Sequence, residues 1–172
     1  KANLDIKINN AIGSSVTMNK GTVFTSSLSG QSYQYISNED VTITPVDGIY
    51  NFNDVTLYEG TLVTFKYTVD TLDVDQKFII PSANADTSTL KVSVQNSATD
   101  STLVTYQLAG GYNSVSATSK VFFIQEGDEQ RYQIYFGDGV TGNKLSDGNI
   151  VIMEYIVTNK TDSNGASKFD LQ

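Results

Sequence analysis

The chain has 172 residues, enough for one domain or two small ones, and its 19 Asp and Glu against 11 Lys and Arg give a formal net charge of −8. Binding nucleic acid requires a basic face, and the few basic residues of this acidic chain are scattered. Histidine and cysteine are both absent, which removes disulfides, thiolate chemistry, and the commonest general base and metal ligand. We therefore expect a chain that is not an enzyme, holds no cofactor or metal, and binds no nucleic acid.

The residue usage predicts a β protein. Ten Tyr and eight Phe accompany many Val, Ile and Thr, residue types that favour strands, and only two Pro interrupt the chain. No apolar run is as long as a membrane span, and the N-terminus lacks a signal-peptide pattern. The predicted fold class is all-β, built from small antiparallel β-sandwich or barrel domains with almost no helix, and no membrane partner is expected.

The first predicted domain covers residues 1–72. Short strands follow one another closely there, and the segment Leu4–Ile8, for example, alternates between apolar and polar residues. The segment Asp70–Asp75 has three carboxylates in six residues, which we interpret as a solvated connection. We therefore place the end of a small β domain within it.

The second predicted domain, a β-sandwich or barrel, covers residues 73–160. Its most regular alternation runs from Leu90 to Val94. The residues 161–172 that follow are largely polar and include a glycine, a composition typical of linkers. We expect them to lead to a missing C-terminal part, and the chain to be a fragment of a longer protein.

The stretch 132–157 predicts two strands joined by a structured loop. Tyr132–Phe136 alternates with a period of two, and Ile150–Val157 is apolar on both faces except at Glu154, which is typical of a strand inside a sheet. Glycine adopts positive φ without a steric penalty and Asp-Gly is a strong turn dipeptide, so we expect two tight turns between the strands. The residues that we expect to shape the loop are Gly137, Asp138, Gly139, Gly142, Leu145, Asp147 and Gly148. Leu145 is expected to tuck back under the sheet.

Three chemical alternatives compete with this structural interpretation. Asp138, Asn143 and Asp147 could supply oxygens to Ca²⁺, but their spacing fits no known calcium loop, and turn formation is the favoured explanation. The acidic turns at 126–129 and 39–40 could hold the paired carboxylates of a glycosidase, although acidic loops are mostly solvated surface. A phosphate-binding loop is excluded because the glycines precede a strand rather than a helix.

Glu154 is expected to face solvent, or else to meet a basic partner.

A recognisable set of residues spans the loop and its flanks, namely Phe136-Gly-Asp-Gly-Val140, Gly142, Leu145, Gly148, Ile150 and Tyr155. This set resembles the signature of baseplate J-like proteins of contractile-tailed phages. The flanking segments Val121–Glu126 and Val157–Lys160, with Lys20–Phe24 and Gly30–Tyr33 near the N-terminus, resemble the ring-forming baseplate wedge subunit of T-even-type phages.

The resemblance implies a structural virion protein, located in the phage tail baseplate and made in the host bacterial cytoplasm. Wedge subunits of this kind dimerise, contact other baseplate wedge proteins and form the ring that helps couple the baseplate to sheath contraction. The signature carries no catalytic residues in the family, so its glycines carry over as loop-shaping positions only. The alternative that the residues leave open is a carbohydrate-binding or adhesin-like β module, because Tyr-rich strands such as Tyr33–Tyr35 suit contact surfaces.

Overall fold

A computed structural model describes residues 1–9, 12–111, 115–159 and 163–172 of the chain. It divides into two compact units, the first formed by Lys1–Leu62 with Ile156–Gln172 and the second by Val63–Tyr155. The strands of the described residues are β1 (Ala2–Asn9), β2 (Val16–Met18), β3 (Val23–Leu28), β4 (Gln31–Ser37), β5 (Val41–Ile43), β6 (Ile49–Glu59), β7 (Thr61–Thr68), β8 (Phe78–Ile79), β9 (Ala85–Gln95), β10 (Leu103–Leu108), β11 (Val121–Glu126), β12 (Tyr132–Phe136), β13 (Ile150–Val157) and β14 (Asp170–Leu171). A 3-10 turn covers Asp128–Gln130. The predicted all-β fold class is confirmed.

Unit 1 contains a five-stranded sheet in the order β1-β6-β4-β3-β14 and a two-stranded sheet of β2 and β5. Every pairing in the two sheets is antiparallel. The buried core consists of Met18, Phe24, Tyr35, Phe52, Val55 and Leu57. Tyr33 packs against this core beside the buried Tyr35, so the two tyrosines share a face as the period-two pattern predicts.

A register shift interrupts the pairing of β1 with β6 between Leu4 and Ile6. On the opposite strand Asp54 has a φ of +53°, a left-handed conformation that is uncommon for residues other than glycine. Its N–H donates to the carboxylate of Asp5 at 2.8 Å, and its own carboxylate accepts from the amide of Asn3 at 2.7 Å. These side-chain hydrogen bonds replace ladder bonds that the irregularity removes.

Unit 2 contains most of a seven-stranded sheet in the order β7-β13-β9-β10-β11-β12-β8. The β10–β11 pair is parallel, whereas β9–β10, β11–β12 and β12–β8 are antiparallel. The sheet curls into a near-barrel, and the hydroxyl of Tyr67 on β7 donates to the carbonyl of Ile79 on β8 at 2.8 Å. This hydrogen bond joins the two ends of the strand order. β13 lies inside the sheet, as its two apolar faces predict.

Aromatic side chains run in a continuous series through unit 2. Edge-on or tilted contacts link Phe65 to Tyr67, Tyr67 to Phe78, Phe78 to Phe136, and Phe136 to Tyr106, with ring centroids 5.0 to 5.7 Å apart. This is the separation that aromatic pairs prefer, and each pair adds about 0.5–1.5 kcal/mol beyond burial of its area. The series connects one end of the strand order to the strand that precedes the 137–149 loop.

The two units differ from the predicted domains of residues 1–72 and 73–160. The chain passes into unit 2 at Val63, because β7 belongs to the seven-stranded sheet rather than to the N-terminal one.

Residues 163–172, for which the sequence predicts a linker, instead fold onto unit 1. β14 pairs with β3, and the ring of Phe169 packs edge-on against Tyr35 at 4.9 Å. One aromatic side chain in a polar segment is enough to anchor it, which composition alone does not reveal. Residues 160–162 lie outside the described part of the chain.

Candidate functional site

The candidate site is built on the loop of residues 137–149, which joins β12 to β13. Its first turn is closed by a hydrogen bond from the N–H of Gly139 to the carbonyl of Gly142 at 3.1 Å. Both residues have positive φ, +91° and +89°, and glycine takes this conformation without strain. Gly137 has no room for a side chain, because a Cβ there would come within 2.1 Å of the backbone of Gly142.

Asp138 holds the first turn through its side chain. Its carboxylate accepts hydrogen bonds from the N–H groups of Thr141 and Val140, each at 2.8 Å. These backbone donors, with a smaller contribution from the positive charge of Lys144, hold the pKa of Asp138 below its ordinary value. The carboxylate therefore stays ionised and works as a turn-forming group.

The second turn spans Ser146–Asn149. The N–H of Asn149 donates to the carbonyl of Ser146 at 3.1 Å, and the side-chain oxygen of Asn149 accepts from the N–H of Ser146 at 2.8 Å. Gly148, with a φ of +76°, donates its N–H to the carbonyl of Val69, and the carboxylate of Asp147 accepts from the N–H of Thr71. This turn is thereby fastened to the segment that follows β7.

The burial of one side chain and three hydrogen bonds fix the middle of the loop. Leu145 is buried, as the sequence predicts. The N–H groups of Gly142 and Asn143 donate to the carbonyls of Ser116 and Ser119 at 3.0 and 2.9 Å. The side-chain amide of Asn143 donates to the hydroxyl of Tyr106 at 2.8 Å. Burial raises the pKa of Tyr106 above its ordinary value while the Asn143 amide opposes this effect, so the phenol is neutral at physiological pH. The loop is a rigid surface feature.

A cleft of about 240 Å³ opens between this loop and the neighbouring strands. It is lined by Val94, Asn96, Thr102, Val104, Tyr106, Lys120, Asn143, Lys144, Ser146 and Asn149. The ammonium of Lys120 lies 5.8 Å from the centre of the Tyr106 ring, within reach of a cation–π interaction. The cleft therefore combines an apolar floor, several amides and hydroxyls, and two positive charges. Such a lining suits binding of a partly acidic group.

The sequence predicted the loop but not the cleft. Of the predicted loop-shaping residues, Asp147 and Gly148 lie in the second turn, Leu145 is buried between the turns, and Gly137, Asp138, Gly139 and Gly142 shape the first turn. Tyr106 and Lys120 were missed because they reach the loop from β10 and from the residue before β11. No local pattern marks them, since the strand order, which places β9, β10 and β11 between β12 and β13, brings these distant segments together under the loop.

The residues of the calcium alternative do not converge on one site. Asp138 binds its own turn, Asn143 donates to Tyr106, and Asp147 accepts from Thr71. Within the residues that the structure describes, no group of three or more acidic side chains could hold a metal ion. No helix of that same part of the chain is long and apolar enough to cross a bilayer.

The acidic residues singled out for other roles lie apart from the cleft. Asp128 and Glu129 line a smaller cleft of about 110 Å³ with Lys77 and Arg131, and the carboxylate of Glu129 forms an ion pair with Arg131. Glu154 is half-buried on β13. The geometry thus pairs the Glu129 carboxylate with a cation, whereas a glycosidase needs two carboxylates that face each other across a sugar.

No family model matches the chain, and no curated protein matches it. These comparisons therefore give no support to the resemblance to baseplate J-like proteins that the stretch Phe136–Tyr155 suggests. What the chain offers toward a function is a rigid loop and the polar cleft beside it.

Proposed function

We propose that the chain is a structural virion protein, a fragment of a phage tail baseplate wedge subunit that assembles by β-domain contacts into the baseplate ring. In this role it helps to couple the ring to sheath contraction. The observation that carries the proposal is that the signature glycines occupy positions that disfavour a side chain. Gly137 does so by its close approach to Gly142, and the other signature glycines do so by their positive φ. The resemblance therefore involves glycines that the shape of the loop requires.

The mechanical properties of the loop support this role. Four hydrogen bonds described above fasten the loop to other segments, two to residues 116–119 and two to residues 69–71. A loop held at both turns keeps its shape when a neighbour presses on it, because moving it breaks several hydrogen bonds together. A component that passes a conformational change to its neighbours needs contact surfaces of this kind.

The partners under this proposal are other copies of the chain's parent subunit and other baseplate wedge proteins. The protein acts in the virion after synthesis in the host bacterial cytoplasm. The net charge of −8 supports protein partners rather than nucleic acid.

Immunogold electron microscopy tests the location. Antibodies raised against the purified chain are applied to phage or phage-tail particles produced by the source organism. We expect gold at the tail tip and none on the sheath or the capsid, and preimmune serum provides the control. Label confined to tail fibres, or particles whose mass spectrum lacks this sequence, would refute the proposal.

A carbohydrate-binding β module is the second candidate, favoured by the lining of the cleft. Asn96, Asn143 and Asn149 line it beside the Tyr106 ring, and amides next to an aromatic ring are a combination that recognises sugar hydroxyls and a sugar face. A glycan array with the purified chain tests it. Binding that disappears in the Lys144→Ala variant, which keeps the hydrogen bonds of both turns, would favour this candidate over the baseplate role.

A further inference from the structure

We infer that the cleft receives the 70–76 loop of a second copy of this chain, an inference that rests on the assembly role proposed above. The 70–76 loop follows β7 and presents two aliphatic side chains to solvent. Leu72 is 90% exposed and Val74 is 92% exposed. Isolated exposed aliphatic residues are common, but two that project from one ordered loop form a surface suited to a partner.

The 70–76 loop is already in a fixed conformation. The carboxylates of Asp70 and Asp73 accept from the N–H groups two residues onward, at 2.9 and 3.0 Å. The side chain of Gln76 closes the loop, since it accepts from the N–H of Asp70 and donates to the carbonyl of Thr68. A loop ordered before binding loses little conformational entropy on binding, which favours a specific contact.

Charge and shape make the cleft the matching surface. Asp70, Asp73 and Asp75 surround the two aliphatic side chains, whereas the charged residues that line the cleft are Lys120 and Lys144. Asp100 and Asp138 lie beside the cleft, but their carboxylates accept from backbone N–H groups of Thr102 and of Val140 and Thr141. The apolar floor of Val94, Val104 and Tyr106 offers cover for Leu72 or Val74.

The positions of the two surfaces fit a twofold dimer. The 70–76 loop is bound to the second turn through Thr71 and Asp147, and Ser146 and Asn149 of that same turn line the cleft. Loop and cleft are therefore neighbours that both adjoin one turn. A twofold axis beside this turn places each loop in the partner's cleft and forms both contacts at once. Complementary charges at these contacts oppose the general repulsion between two chains of net charge −8.

Sedimentation velocity over a range of concentrations tests the contact. We expect the 172-residue chain to show a concentration-dependent dimer. The variant Leu72→Ser/Val74→Ser removes only exposed side chains, so it should fold normally and weaken the dimer about tenfold or more. A chain that stays monomeric at all concentrations, or a dimer that this variant leaves unchanged, would overturn the inference.

A charge exchange identifies the two surfaces directly. The variants Asp73→Lys/Asp75→Lys and Lys120→Glu/Lys144→Glu should each fail to dimerise alone, because like charges then meet. Mixed together they should form a heterodimer, since every contact again joins opposite charges. The variant Glu39→Lys/Asp170→Lys changes the net charge by the same amount as the first at exposed residues of unit 1, and it should leave the dimer intact. Failure of the mixture to associate, with both variants folded by circular dichroism, would show that other surfaces meet.

The baseplate role and the dimer contact can be refuted independently of each other. A chain that labels the tail tip but stays monomeric contradicts only the dimer contact. A dimer that follows the charge exchange, formed by a chain absent from tail particles, supports the contact and refutes the baseplate role.

Discussion

Gly137 and Gly142 lie against each other in the loop between β12 and β13, so closely that a Cβ on Gly137 would come within 2.1 Å of the Gly142 carbonyl carbon. Real side chains never approach a backbone this closely, so the constraint is steric and independent of any ligand. The two residues also belong to the stretch on which the proposed baseplate role rests. Their contact is therefore where the shape of the loop and the proposed function can be tested together.

The variant Gly137→Ala should destabilise unit 2 by about 3 kcal/mol, because the methyl group forces the two backbone segments apart. Gly148→Ala, at a positive φ with no neighbour within 4 Å, should cost only about 1–2 kcal/mol for the left-handed conformation. Gly110→Ala, which has open space and no positive φ, is the control and should be close to neutral. Guanidinium unfolding gives the three values. Equal effects at all three positions would contradict the steric explanation.

Glu59 should be the most sensitive acidic residue of unit 1. It is 5% exposed, and its carboxylate accepts from the backbone N–H of Asn159 at 3.0 Å and from the side-chain amide at 2.6 Å. Glu59→Ala removes both acceptors and Glu59→Gln removes part of them, so we expect losses of about 1–3 kcal/mol with the larger loss for Ala. Glu39→Ala, at an exposed site, should change the free energy of unfolding by less than about 0.5 kcal/mol. A larger loss of stability for Glu59→Gln than for Glu59→Ala would contradict this explanation.

Tyr67→Phe should loosen the junction between the two ends of the curled sheet. The substitution removes the hydrogen bond to Ile79 and keeps the ring contacts with Phe65 and Phe78. We expect a loss of about 1 kcal/mol and faster amide hydrogen exchange in β8. Tyr132→Phe is the matched control, since its hydroxyl makes no hydrogen bond within the described ranges of the chain. Unchanged exchange in β8 would mean that the near-barrel holds without this bond.

Unit 2 should lose stability above pH 10. Burial raises the pKa values of Tyr67, Tyr106 and Tyr155 above the ordinary value of 10.0. The unfolded chain releases these protons first, so it binds fewer protons than the folded chain above pH 10, and the free energy of unfolding falls as pH rises. Their contribution is fully present below pH 10. Unfolding at a series of alkaline pH values measures the slope, which the Tyr155→Phe variant should reduce; a slope that this variant leaves unaltered would contradict the assignment.

Phe169→Ala should destabilise unit 1 by about 2 kcal/mol, because it removes the edge-on contact with Tyr35 and a partly buried ring. Leu171→Ala, two residues further along the chain in β14 and 65% exposed, should have almost no effect. Thermal unfolding compares the two variants. If both were neutral, residues 163–172 would behave as the linker that their composition suggests.

The sequence by itself determined the all-β class, the two strands at Tyr132–Phe136 and Ile150–Val157, and the turns between them. These features are local: period-two alternation and glycine conformations act over a few residues, so they can be read without knowing the fold. The burial of Leu145 and the interior position of β13 followed from the same patterns.

Only the tertiary structure decided which distant residues meet. The order of the seven-stranded sheet, with β9, β10 and β11 between β12 and β13, brings Tyr106 and Lys120 to the loop and makes the cleft. The contact of Phe169 with Tyr35 turns an apparent linker into part of unit 1. Contacts between residues far apart in the chain depend on how whole strands order and pair. The order and pairing of the strands are set by the summed burial of many side chains, so they cannot be predicted from any single segment.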